Sequence, residues 1–275
     1  MSTTSVLLVL SAAVLHASWN AVVKAGADRL VTTWVIVTMA AVVNLPIVAF
    51  AGLPRREVWW VIGVTIVVHV AYDLLLVAAY ERVDLSIAYP IARGTAPVVT
   101  TIAGVALLGD RLTAFGLLGI AMVTAGLVVA ATGRPLAHTQ WAFATGLMIA
   151  TYTVVDGYGV RANGDAVSFI GTSFILHAIL LSTIVVLRRD CSTLVTAITA
   201  RPGRLLFAGA ASAGAYLFVM IAARVEPLGL VAGLRETSTL LGLLFASRFL
   251  GERVTRRQTI AIVGAATGAV AIAVA

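Results

Sequence analysis

The sequence predicts an all-α polytopic membrane protein, with ten transmembrane helices arranged as two inverted five-helix repeats around a central cavity. Three observations carry that expectation. The chain is 60% hydrophobic and 11% charged, with a mean hydropathy of +1.03, where a soluble domain is roughly a quarter charged. Its apolar residues run round whole helical turns instead of along one stripe, so their solvent is lipid. The two halves of the chain also match each other at a fixed offset.

A crossing helix needs about 20 apolar residues to span roughly 30 Å of hydrocarbon. Ten runs meet that rule: 4–24, 30–51, 57–80, 84–108, 112–132, 140–160, 166–187, 203–223, 227–250 and 256–275. The first is read as a span and not as a signal peptide, because "MSTTSV" has no basic segment and the apolar run continues to Lys24. Short polar stretches separate the rest: "KAGADR", "GLPRRE", "ERVD", "GDRLT", "GRPLAHTQ", "RANGD", "RRDCSTLVTAITARPGR", "RVEP" and "GERVTRR". None is long enough for a soluble domain.

Sliding the chain by 142 residues aligns Arg82–Thr113 with Arg224–Thr255 without a gap, and eight of the 32 positions are identical. Both copies enter on Arg-Val-acid and leave on Leu-Gly-acid-Arg-x-Thr; Arg93 falls on Arg235 and Thr95 on Thr237. A weaker match at an offset of 137 sets "NAVVKAGAD" (Asn20–Asp28) on "GYGVRANGD" (Gly157–Asp165). The unit is therefore five spans, and because five is odd the second copy enters the membrane inverted. Inverted repeats are an architecture of alternating access, with substrate held near the midplane between the halves.

The net charge of +7 comes mostly from short loops between apolar runs, where headgroup contact and topology explain it better than nucleic acid. With both termini cytoplasmic, the inner loops hold five Lys/Arg (Arg55, Arg56, Arg111, Arg161 and Arg224) and the outer loops twelve. The positive-inside rule favours the opposite orientation. The lone Cys191 excludes an internal disulfide and a Cys-rich metal site. The sequence contains no P-loop, HExxH or GxSxG pattern, so ATP-driven pumping, zinc hydrolysis and serine catalysis have no motif to stand on.

The repeat exits "LLGDRLTAFGLLGIAMVTAG" and "LGERVTRRQTIAIVGAATG", with "LHASWNAVVKAG" in the first span and "AYPIARGTAP" in the fourth, resemble the EamA repeat of the drug/metabolite transporter superfamily. The resemblance covers nearly the whole chain and divides it into 1–134 and 135–275, one repeat each. It implies a ten-helix basket whose cavity is lined by spans one, three, four, six, eight and nine, with spans five and ten at the periphery. It also implies cytoplasmic termini, a multi-pass place in the cell (inner) membrane, and export or exchange of amino acids, metabolites, drugs or sugar conjugates.

Polar groups inside spans are expensive, and each is a candidate for function. Arg93 and Arg235 lead, because the repeat puts them at equivalent depth. One reading has the two guanidiniums facing each other across the cavity, ready for a carboxylate or phosphate. In the other, each is held in a salt bridge to Asp73, Asp156 or Glu236. Tyr89 lies one turn before Arg93, and Pro90 and Pro97 loosen the same helix. His69, Tyr72 and Asp73 share a face of the third span, as a proton relay or as the counter-ion of Arg93.

His16, Trp19 and Asn20 share a face of the first span, and Trp19 and Asn20 can contact ligand or simply join helices. Tyr152 and Asp156 stand four apart in the sixth span; Glu236 points about 100° from Arg235. His177 sits alone in the seventh span, in a hydrogen-bonded packing role. Gly264 with Gly268, and Ala121 with Ala125, permit close approach between the two peripheral spans; a homodimer seam is the alternative, and a monomer is expected.

The expected function is secondary transport, as export, of a small polar metabolite such as an amino acid or organic acid. Its partners are the small-molecule substrate, protons and membrane lipids, with no cofactor, metal, nucleic acid or catalytic residue. Multidrug or cation efflux and a lipid-linked-sugar flippase are alternatives on the same fold. A membrane-embedded enzyme or a structural subunit is the alternative of another class.

Overall fold

The computed structural model describes residues 1–24, 28–83, 85–131, 137–239, 241 and 256–275. Among them all regular structure is helical: α1 (Thr3–Lys24), α2 (Arg29–Ala51), α3 (Trp59–Arg82, entered by a 3-10 turn at Arg56–Val58), α4 (Leu85–Leu108), α5 (Ala114–Ala131), α6 (Thr139–Asn163), α7 (Ala166–Val186), α8 (Cys191–Thr199), α9 (Pro202–Ala223), α10 (Leu228–Arg235) and α11 (Arg256–Ala273). Five of the described helices are long and apolar enough to cross a bilayer, namely α2, α3, α4, α7 and α9. Shorter apolar helices occupy Thr3–Trp19, Ala114–Val129 and Thr259–Ala273. The expectation of ten crossings is met to that extent.

Two elements differ from expectation. The stretch read as a plain loop between the seventh and eighth spans contains α8, nine residues that bury only Leu194, too short to register under a rule that asks for about 20 apolar residues. The ninth span is interrupted: α10 ends at Arg235, and Glu236 sits in a turn. There the bonds tighten to three-residue spacing, Glu236 N–H to the Gly233 carbonyl at 3.2 Å and Thr239 N–H to the Glu236 carbonyl at 2.9 Å.

The weak second match holds as local structure. Asp28 and Asp165, its matched last residues, are the N-caps of α2 and α7. Asp28 accepts from Val31 N–H at 3.1 Å, and Asp165 from Val167 N–H at 3.1 Å and Ser168 N–H at 2.9 Å. Partial burial raises both carboxyls, but Arg189 on Asp28 and Ser168 on Asp165, with the backbone donors, outweigh it and hold both below the usual carboxylate value. Both caps are therefore in force at neutral pH and weaken as acid protonates them.

Exchanging each first-half helix for its second-half mate (α1 with α6, α2 with α7, α3 with α9, α4 with α10, α5 with α11) reproduces the packing. The α3–α6 contact becomes α9–α1, α2–α9 becomes α7–α3, and α4–α6 becomes α10–α1, while α2–α7, α5–α11 and α4–α10 map onto themselves; all are present. The halves interdigitate, so the space between them is lined from both.

At one end, the acid of the first Leu-Gly-acid-Arg exit ties three connections together. Asp110 accepts from Arg161 Nη1 at 2.8 Å and from the Leu228 N–H that opens α10 at 2.7 Å. Arg161 also donates to the carbonyls of Ala223 and Glu226. The second exit falls outside the described residues.

The α5–α11 seam is closer than ordinary helix packing. A Cβ on Gly268 would lie 2.7 Å from the Gly119 carbonyl oxygen, and one on Gly119 would lie 2.7 Å from that of Gly268. Gly126 meets the Ala261 carbonyl likewise at 2.8 Å. Ala121 and Ala125, expected in this seam, are exposed instead. Small residues recur on more than one face of "AFGLLGIAMVTAG", so spacing alone does not select the face. We expect Gly268→Val to cost about 1–3 kcal/mol through forced separation of two backbones, while Ala121→Val stays within about 0.5 kcal/mol. Thermal unfolding in detergent measures both.

Candidate functional site

A cavity of about 110 Å³ lies between the halves. His16 and Trp19 of α1, Tyr72 of α3, Tyr89 and Arg93 of α4, Tyr152 of α6, Tyr216 of α9 and Arg235 of α10 line it. So do α2, through Thr33, Ile36 and Val37, and α7, through Phe174 and His177. The six spans implied by the resemblance thus line the cavity, and spans two and seven join them.

The two repeat-equivalent arginines are both buried at the cavity, and they are not alike. Arg93 donates from Nε to Glu236 Oε2 at 2.8 Å and from Nη2 to Ser238 Oγ at 3.1 Å. It also stands 5.8 Å from the Tyr89 ring centroid. Glu236 is therefore the counter-ion of Arg93, and Asp73 and Asp156 are not. Pro97 adds to the local irregularity, because it has no N–H to give the Arg93 carbonyl one turn back. Arg235 lies 5.6 Å over the Tyr216 ring, and among the described residues its guanidinium makes no hydrogen bond and no ion pair. The picture of two matched guanidiniums gives way to one neutralised and one available.

The carboxylates pair elsewhere. Asp156, fully buried, accepts from Thr65 Oγ1 at 2.6 Å and from the Tyr216 hydroxyl, and lies 2.9 Å from His69 Nε2. Two hydroxyl donors and an imidazole thus meet on this one acid. Asp73 lies 2.9 Å from His177 Nε2. The expected His69–Asp73 relay on one helix face is thereby corrected, since each imidazole reaches across to an acid of the other half. His177, expected in a hydrogen-bonded packing role, makes that bond with Asp73 and also lines the cavity.

Aromatic rings fill the space between these pairs. His69 stacks on Tyr152 at 4.4 Å, Tyr72 meets Tyr152 edge-on at 5.3 Å, and Phe174 meets Tyr216 edge-on at 6.1 Å. The His16 and Trp19 rings are 4.9 Å apart, and the buried Trp19 indole N–H meets no acceptor among the described residues. The side chain of Asn20 lies outside those residues. No group of three His, Cys, Asp or Glu among the described residues is placed to hold a metal.

Sequence reasoning passed over Tyr216, Thr65 and Ser238. For Tyr216 a signal existed: with a two-residue gap, "YLFVMIAARV" (216–225) falls on "YDLLLVAAYERV" (72–83), Tyr216 on Tyr72. Thr65 and Ser238 carry no such mark.

A family model described as the EamA-like transporter family matches residues 3–132 and again residues 139–274. One solved crystal structure superposes with a TM-score of 0.81 at 16% sequence identity, over 100% of this chain and 98% of that one; at that identity the likeness is one of fold. No curated protein matches the chain.

Proposed function

We propose that this chain, which belongs to the EamA-like transporter family, is a secondary transporter that exports a small carboxylate-bearing metabolite, such as an amino acid or organic acid. The cavity is the substrate site, and two inverted five-span halves of the cell membrane protein expose it alternately to either side. The observation that carries the reading is Arg235: a buried guanidinium at the cavity wall that makes no ion pair or hydrogen bond among the described residues, while Glu236 pairs with Arg93. A planar fork of donors in that setting suits a carboxylate. The Trp19 N–H, which meets no acceptor among the described residues, offers a second donor, and the tyrosines give apolar contact with polar edges. Size favours a small solute over a large drug, because about 110 Å³ is well below the roughly 300–1,000 Å³ of drug-sized sites.

A thermal-shift screen of the purified protein against amino acids, organic acids, phosphosugars and cationic drugs tests this. Carboxylate ligands are expected to raise the melting temperature, by about 2.7 kcal/mol of stabilisation at a hundred times Kd. Stabilisation by cationic drugs alone would overturn the reading.

Orientation has a built-in reporter. Cys191 is the single cysteine, it is exposed, and it opens α8 between the seventh and eighth spans. With cytoplasmic termini, a membrane-impermeant maleimide labels it in intact cells; protection until the cells are permeabilised reverses the orientation.

A further inference from the structure

Two imidazole–carboxylate pairs stand side by side at the cavity, and each joins the halves: His69 of α3 to Asp156 of α6, and Asp73 of α3 to His177 of α7. The His69 and His177 ring centroids are 5.5 Å apart. Each ring presents Nε2 to an acid that accepts, so Nδ1 is the atom left to take a proton.

Charge bookkeeping around them is simple. Arg93 and Glu236 cancel. Among the described residues, Asp73, Asp156 and Arg235 then leave one net negative charge when both rings are neutral, none when one ring is charged, and one positive charge when both are. The neighbouring phenols of Tyr72, Tyr152 and Tyr216 are neutral donors. His16 of α1 lines the same cavity. Arg29 at the edge of the cavity is exposed and donates to the Tyr80 carbonyl, and water screens it.

We infer that His69, Asp156, His177 and Asp73 form one proton-binding site built from both halves, which holds a single proton when the cavity is empty. A proton on either ring opposes one on the other by roughly a hundredfold at this distance and an effective dielectric near 20. A carboxylate on Arg235 adds one negative charge and makes room for the second proton. That last step rests on the substrate reading above; the site itself does not.

The chain has only four histidines, so imidazole signals from the ¹³C,¹⁵N-His protein in nanodiscs, assigned with single His→Gln variants, report the site directly. Across pH 5–9 (about two units either side of an ordinary imidazole), the His69 and His177 signals are expected to move together, with their summed protonation on a plateau near one. His177→Gln removes the plateau and leaves His69 a single step; Asp156→Asn shifts the His177 curve as well as that of His69. Rings that titrate independently, or hold one charge state throughout, overturn the inference. Sodium acetate, as a minimal carboxylate, is expected to lift the sum towards two in the parent and not in Arg235→Gln. A plateau without an acetate response sinks the carboxylate reading and leaves the proton site standing; an acetate response without a plateau sinks the proton site.

Discussion

Arg93→Ala is expected to destabilise the protein by about 3–5 kcal/mol, because it leaves Glu236 as an uncompensated buried charge. Arg93 and Glu236 are both almost wholly buried and 2.8 Å apart, and loss of the arginine also removes the donor to Ser238. Against a total stability of about 5–15 kcal/mol, that is a large fraction. A charge-free replacement is expected to behave differently. Arg93→Met with Glu236→Leu removes both desolvation penalties at similar volume, and buried pairs replaced in this way are often neutral or better. Unfolding of the two single variants and the double variant in detergent gives the cycle. A single Arg93→Ala variant as stable as the parent would show that the pair does not hold the fourth span to the ninth.

The repeat made the depth of these arginines legible, and it did not make their partners legible. Three carboxylates stood within plausible reach of two guanidiniums, and sequence spacing cannot choose among residues on different helices. Packing of the fourth span against the ninth made the choice, bringing Arg93 rather than the neighbouring Arg235 to within 2.8 Å of Glu236. Asp73 was placed beside His69 because they share a helix face, but helix faces say nothing about the element opposite. His177, 104 residues away, takes that carboxylate instead. Local features fared better: Asp28 and Asp165 repeat as caps because an N-cap bond needs only the next three residues. The architecture was legible through periodicity and repetition, whereas pairing across the cavity is a property of tertiary packing.

Arg235→Ala is expected to have the opposite outcome to Arg93→Ala, although the two residues occupy the same place in the repeat. Arg235 gives up no hydrogen bond among the described residues and only a cation–π contact with Tyr216 at 5.6 Å, worth about 1–2 kcal/mol in a desolvated site. The fold should therefore survive at close to parental stability. Ligand binding should not survive, because the cavity then holds the neutral Arg93–Glu236 pair and the two acids, which repel an anion. Loss of charge-assisted hydrogen bonds of about 1.5–3 kcal/mol raises Kd by roughly ten- to a hundredfold. Arg235→Lys keeps the charge and loses the fork, so it should recover part of the binding. The readout is the ligand-induced rise in melting temperature for each carboxylate hit, measured beside the ligand-free melting temperature of the same variant. Arg235→Ala that binds the same carboxylate within threefold of the parent would end the case for Arg235 as the anchor. If instead the ligand-free protein collapses, Arg235 holds the helices together and the cavity has no free cation to offer. Only the combination of an intact fold and a lost carboxylate response separates a binding arginine from its structural twin.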